Sequence, residues 1–279
     1  LITRTSGGHA ARSSTAQELL IMTYILHASA TTIAGRRKRN EDAYLLDAEL
    51  GVFAVIDGMG GYTGGEVASN LAAQTIAAFY LAIAEDAEAT WPYALDVART
   101  IAENRVDAAI RLANRRIRDA REGSLRDMGA TIALIAIGRG GAVVGHLGDS
   151  RIYRLRRPWL RAPHLVQLTR DHSLYEQLKA AGAELPPLSE FVHANVVTRA
   201  LGPAEDERPE LARVELEDGD RFLLCTDGLS GPLTPEAIAE IMATTAIEEV
   251  SEALVDAAFE AGSRDNITAI VVDVARGQR

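Results

Sequence analysis

A chain of 279 residues, 47% hydrophobic and 24% charged, has ordinary globular composition and enough length to bury a substantial core. A net charge of -10, with acids directly after the one basic run Arg36-Arg37-Lys38-Arg39, argues against nucleic acid as a partner. A single cysteine, Cys225, rules out an internal disulfide, and no signal-like opening or long apolar run is visible, so a soluble cytoplasmic protein away from the membrane is expected.

Residues 1–21 are rich in Gly, Ser, Thr and Ala and are read as a flexible segment. They are either upstream sequence ahead of a start at Met22 or a native flexible N-terminus. A strand is predicted at 24–28, and the continuous apolar run 52–56 has strand length. Val67, Leu71, Thr75 and Phe79, four apart, predict a helix over 65–85. Val97, Ile101, Ala108 and Leu112 predict a second over 93–120. Strands follow at about 130–137, 142–147, 151–156 and 165–169. Ser173 with Glu176 makes a capping-box pattern that starts a helix at 174. Residues 183–210 hold four of the nine prolines and no period, which reads as a mobile surface insertion. Strands return at 213–216 and 220–226. Thr234-Pro235-Glu236 opens a helix, another covers 246–261, and 267–274 is the last strand. This order predicts an α+β protein of one domain, 22–279, with two packed sheets covered by helices.

Four aspartates stand where an apolar run meets a turn: Asp57, Asp149, Asp227 and Asp265. Three adjoin glycine, and any one alone reads as an Asp-Gly turn signal. Together, fixed at the ends of neighbouring strands, they would gather in one place and repel unless a cation neutralised them. Oxygen-only ligands favour Mg2+ or Mn2+ over zinc. Arg37 lies four residues before the acid pair Glu41-Asp42, and a guanidinium suits a phosphate with two parallel hydrogen bonds. Phosphomonoester hydrolysis needs such a combination, because two metals can activate water and neutralise the phosphoryl oxygens.

At these residues the sequence resembles the PP2C (PPM) family of metal-dependent protein serine/threonine phosphatases, in its bacterial form. The resemblance runs in family order through Arg37-x-x-Asn40-Glu41-Asp42, Val55-Ile56-Asp57-Gly58-Met59-Gly60-Gly61, Gly65-Glu66-Val67-Ala68-Ser69 and Met128-Gly129-Ala130-Thr131. It continues through Gly148-Asp149-Ser150-Arg151, Leu168-Thr169-Arg170-Asp171-His172-Ser173 and Thr198-Arg199-Ala200-Leu201-Gly202. It closes on Leu224-Cys225-Thr226-Asp227-Gly228-Leu229 and Ser263-Arg264-Asp265-Asn266-Ile267-Thr268.

The resemblance implies a four-layer αββα sandwich of two antiparallel sheets flanked by helices, with a flap at about 175–205. It implies that Asp57 bridges two Mn2+ or Mg2+ ions, that Asp227 and Asp265 complete one shell, and that the Gly58 carbonyl binds the other ion. Glu41 and Asp42 would hold metal-bound waters or lie just behind them, Arg37 would bind the substrate phosphate, and Asp149 with Asp227 would form a third, weaker metal position. A bridging hydroxide would attack phosphorus directly. Substrates would be phosphorylated proteins, including a serine/threonine kinase, met by a monomer. Met59 stands where animal members carry a histidine, which leaves the proton donor unassigned. Gly231 stands where the family has a further aspartate, which weakens the third metal position. The rival reading is a catalytically weak pseudophosphatase that binds phosphoproteins. Retention of Asp57, Asp227, Asp265 and Arg37 argues against it.

Overall fold

The structure, a computed structural model, describes residues 24–60, 63–86, 91–156 and 163–277. The expected flexible segment 1–21 lies outside them. Alternation along the strands decides the layers. In β3 (Val52–Met59), Phe53 and Val55 face one core while Val52, Ala54 and Ile56 face another. In β11 (Ile267–Arg276), Ile270, Val272 and Val274 join Phe53 and Val55 between the sheets, and Ile267, Ala269 and Val271 point outward into a third core. Strands buried on both faces read as continuous apolar runs for this reason.

One sheet has the order β1-β11-β10-β7-β8, with β1 (Tyr24–Ile33), β10 (Arg221–Cys225), β7 (Arg151–Arg156) and β8 (His164–Gln167) beside β11. The other runs β2-β3-β5-β6-β9, with β2 (Asp42–Asp47), β5 (Ile132–Gly138), β6 (Gly141–Leu147) and β9 (Glu210–Val214), and the short β4 (Gly129–Ala130) pairs with β3. The strand pairs with a defined register are antiparallel. Helices α1 (Gly64–Glu85) and α2 (Ile101–Asp119) cover the β3 sheet, and α5 (Pro235–Thr244) and α6 (Ile247–Glu260) cover the other. Short helices α3 (Leu174–Ala180) and α4 (Asp227–Ser230) sit at strand exits. The expected αββα sandwich is therefore present.

Several boundaries differ from the sequence reading. The first strand continues to Ile33, because it pairs with β11 along its whole length. The helix expected over 93–120 starts at Ile101, where Thr100 and Glu103 form a reciprocal capping box. Val97, assigned to its apolar face, is 99% exposed. The strand expected at 213–216 is β9, which begins three residues and ends two residues earlier, and β2 and α4 were not foreseen. Helix α1 is long and apolar enough to cross a membrane, with a window of mean hydropathy 1.5, although no unbroken apolar run marks it in the sequence. It lays Ala68, Ala72, Ile76 and Phe79 on the sheet instead.

Candidate metal centre

The acids meet at one end of the sandwich. The β2–β3 register places Asp42 opposite Asp57. Asp227 follows β10 as the first residue of α4, Asp265 precedes β11, and Asp149 sits in the β6–β7 turn. Asp57, Gly58, Asp149, Asp227 and Asp265 line a pocket of about 760 Å³ together with Arg37, Glu41, Met59 and Gly60. Thr131, Asn266 and, from the stretch expected to form a flap, Asn195, Val196 and Val197, none of them singled out from sequence as site residues, complete its wall. A second, apolar pocket between α1 and α2, lined by Leu71, Phe79 and Leu112, shares no lining residue with it.

Asp42 does not reach the wall. It is buried, and its Oδ2 accepts from Thr226 Oγ1 at 3.0 Å and Thr268 Oγ1 at 2.6 Å, so it braces the strand ends behind Asp57. Asn266 braces the loop that carries Arg37 and Glu41. Its Nδ2 donates to the Ala34 and Arg39 carbonyls at 3.0 and 2.8 Å, and its Oδ1 accepts from the Glu41 N–H at 2.8 Å. Thr131 ties two acid-bearing segments together: its N–H donates to the Asp57 carbonyl at 2.8 Å and its hydroxyl meets Ser150 Oγ at 2.7 Å.

The glycines beside the acids serve two purposes. Gly148 has φ +105°, the left-handed turn conformation that the Asp-Gly signal suggests. Gly58 and Gly228 do not. A Cβ on Gly58 would lie 2.0 Å from the Gly65 carbonyl oxygen, and one on Gly228 would lie 1.9 Å from that of Asn266. These two glycines permit close approach of backbones, bringing α1 to Gly58 and the Asp265-Asn266 segment to Asp227.

Burial, and then mutual repulsion, raises the pKa values of Asp57, Asp149, Asp227, Asp42 and Glu41. Burial first, then the charges of Asp42, Asp227 and Asp149, holds the Asp57 carboxyl well above the usual carboxylate range. Burial with Asp227 and Asp171 pushes Asp149 up to about 7, and burial with Asp265 pushes Asp227 up to about 6. Asp42, mainly by burial, reaches about 7, and burial also raises Glu41. Asp227 Oδ1 and Asp42 Oδ1 are buried with no hydrogen-bond partner. An orphaned carboxylate oxygen among repelling acids is costly, and a hard divalent cation would relieve both penalties. The residues present therefore fit the expected metals. Among the described residues, the three side chains whose ligand atoms all lie within 4.8 Å of one another are elsewhere: His146, His172 and Glu210.

Arg37 is exposed and pairs with Asp265, Nη2 to Oδ2 at 2.7 Å, while its Nε donates to the Arg264 carbonyl at 3.0 Å. Two residues expected to hold different partners thus hold each other here. Arg36, read from sequence as surface charge, lies over the Phe259 ring at 5.1 Å. Gly231 has φ -70°, so no positive φ opposes a larger residue. A Cβ there would nevertheless lie 2.8 Å from the Asp227 carbonyl oxygen.

Comparison with known proteins agrees with this geometry. Residues 33–260 match the family model described as Protein phosphatase 2C. The serine/threonine protein phosphatase PstP of Mycobacterium tuberculosis is 36% identical over 244 residues, which cover 85% of this chain and 43% of PstP. The chain thus spans less than half the length of that relative. Protein phosphatase PhpP of Streptococcus pneumoniae is 30% identical over 252 residues, 88% of this chain and 95% of PhpP. Among solved structures, the M. tuberculosis phosphatase PstP/Ppp superposes with TM-score 0.77 at 32% identity, covering 90% of this chain and 99% of that one. The catalytic domain of PstP in complex with two manganese ions gives TM-score 0.74 at 32% identity, covering 91% and 100%.

Proposed function

The chain belongs to the protein phosphatase 2C family, and from that premise we propose that it removes phosphate from phosphoserine and phosphothreonine in proteins with the help of divalent cations. The observation that carries this reading is the set of half-buried aspartates around one pocket, with a buried and unpartnered Asp227 Oδ1 among them. Asp57, Asp227, Asp265 and the Gly58 carbonyl would hold two ions, Mn2+ or Mg2+, and Asp149 a third. Bound divalent cations supply an activated water at neutral pH and neutralise charge on the phosphoryl group.

The remaining work falls to the chain itself. Asp42 and its two threonine donors hold the strand ends in place, and Asn266 holds the 34–41 loop over the pocket. Glu41 lines the wall, placed to orient water. Arg37, on the rim, would leave Asp265 for an incoming phosphate, exchanging one charge-assisted partner for another. Substrates are phosphorylated proteins, a serine/threonine kinase among them. We place the enzyme in the cytoplasm as a monomer, where the free thiol of Cys225 would stay reduced.

Hydrolysis of p-nitrophenyl phosphate is expected with added Mn2+ or Mg2+ and is expected to vanish in excess EDTA, and metal should raise Tm by mass action on the folded state. Full turnover in EDTA would refute the metal reading. A folded chain that binds phosphopeptide but never turns over would support the pseudophosphatase instead. Arg37→Ala should lower kcat/KM about 10- to 100-fold through loss of charge-assisted hydrogen bonds. Arg36→Ala, which removes the contact with Phe259, should leave kcat/KM nearly unchanged. Equal losses at both positions would mean diffuse attraction rather than a phosphate grip.

A further inference from the structure

His172 is absent from the pocket wall yet touches two segments that form it. Its N–H donates to the Gly148 carbonyl at 2.8 Å, and its Nδ1 accepts from the Gly148 N–H at 3.1 Å. Gly148 directly precedes Asp149. On its other side, the His172 carbonyl accepts from the Thr198 N–H at 2.7 Å and from Thr198 Oγ1 at 3.0 Å. Ser173 then pairs with Val197 in an isolated antiparallel bridge, and the Leu174 N–H donates to the Val196 carbonyl at 2.8 Å. Val196 and Val197 are wall residues of the phosphate pocket. Residues 172–174 thus join the turn that carries Asp149 to the flap.

The imidazole is itself fixed. It stacks on His146, centroids 4.6 Å apart and planes 12° from parallel, and His146 Nε2 meets the Arg170 carbonyl at 2.8 Å. To accept from an amide, Nδ1 must carry no proton, and Nε2 then donates toward Glu210 Oε2 at 3.3 Å. Burial lowers the pKa of both rings, which agrees with neutral imidazoles. Two near-parallel rings cannot both aim an in-plane lone pair at one ion. The Arg199 guanidinium, 3.2 Å from His172 Nε2, adds a cation where a metal would sit. The trio therefore does not read as a second metal site.

We propose that His172 is a positioning residue that couples the Asp149 turn to the flap wall, so that seating a phosphorylated segment against Val196 and Val197 also sets Asp149. The proposal rests on the phosphatase reading of the pocket. It predicts that a change on either side of His172 is felt on the other.

Amide hydrogen exchange on the full chain tests it with His172→Ala, His172→Asn and Thr198→Val. Thr198→Val touches nothing in the turn, keeps the side-chain shape, and removes only the hydroxyl bond to the His172 carbonyl. Loss of one buried hydrogen bond should speed exchange about 3- to 10-fold at Gly148 and at Thr198 together, in both His172→Ala and Thr198→Val. His172→Asn, which keeps a side-chain acceptor, should stay near the parent. In parallel, KM for a phosphopeptide and the half-saturating Mn2+ concentration should rise together in the first two variants and recover in the third. Exchange that quickens only on the mutated side, in a parent that turns over with Mn2+, overturns the proposal alone. A parent with no Mn2+-dependent turnover overturns the phosphatase reading and the proposal with it.

Discussion

Asp57→Asn is expected to cut metal-dependent turnover by about 10²- to 10³-fold, the range of losses seen when a central electrostatic group is removed, while leaving a folded chain. Asp57 stands opposite Asp42 at the end of β3 and opens onto the pocket with Asp149, Asp227 and Asp265. An amide there removes the charge that two cations would share. Without metal the same change should stabilise the protein. A carboxyl whose folded-state pKa is raised favours folding only while protonated. Its contribution is present below the ordinary value near pH 4 and is lost as pH rises toward the folded-state value. The variant's metal-free Tm should therefore match the parent's at low pH and exceed it at pH 8, and its rise in Tm with Mn2+ should be largely lost. A variant that keeps both turnover and the metal-induced rise would remove Asp57 from the centre.

Gly228→Ala should destabilise the chain by about 3 kcal/mol or more, the upper part of the usual overpacking range. That corresponds to a fall of roughly 6–12 °C in Tm for a domain of this size. Its Cβ would stand 1.9 Å from the Asn266 carbonyl oxygen, and backbone has no flexible end to swing away. Relief requires moving Asp227 or Asp265, so turnover should fall as well. Gly138 is the control. It has no positive φ, a Cβ there meets nothing within 4 Å, and Gly138→Ala should change stability by less than about 0.5 kcal/mol. Thermal melts and turnover measured on both variants decide the matter. A Gly228→Ala chain as stable as the control would show that the two segments have room to part.

What the sequence made legible follows from burial. Strands such as 52–56 and 267–274 have apolar residues on both faces, so their length and the acids at their ends stand out directly. The fold and the ring of aspartates could be read from them. β2 could not, because it lies at a sheet edge and Asp-Ala-Tyr-Leu-Leu-Asp shows no clean alternation. The start of α2 was present in Thr100-x-x-Glu103, but the spacing of Val97 and Ile101 extended the apparent helix past it. Tertiary contacts fix the rest: that Asp42 braces rather than lines, that Arg37 turns to Asp265, and that Asn266 staples the 34–41 loop. No local pattern encodes a partner 228 residues away, as for Arg37 and Asp265.

The pairing of β1 with β11 also sets when the site can exist. Thr32 and Thr268, whose hydroxyls meet at 2.7 Å behind Asp42, are 236 residues apart. Closing so long a loop is a slow, late event in folding. During translation Arg37, Glu41 and Asp57 leave the ribosome early, but Asp265 and Asn266 emerge only after almost all of the domain has been made. A half-synthesised chain therefore holds the first part of the pocket wall with nothing to complete it. On the proposed reading, turnover would begin only once β11 slots between β1 and β10, and the nascent polypeptide would be inactive until then.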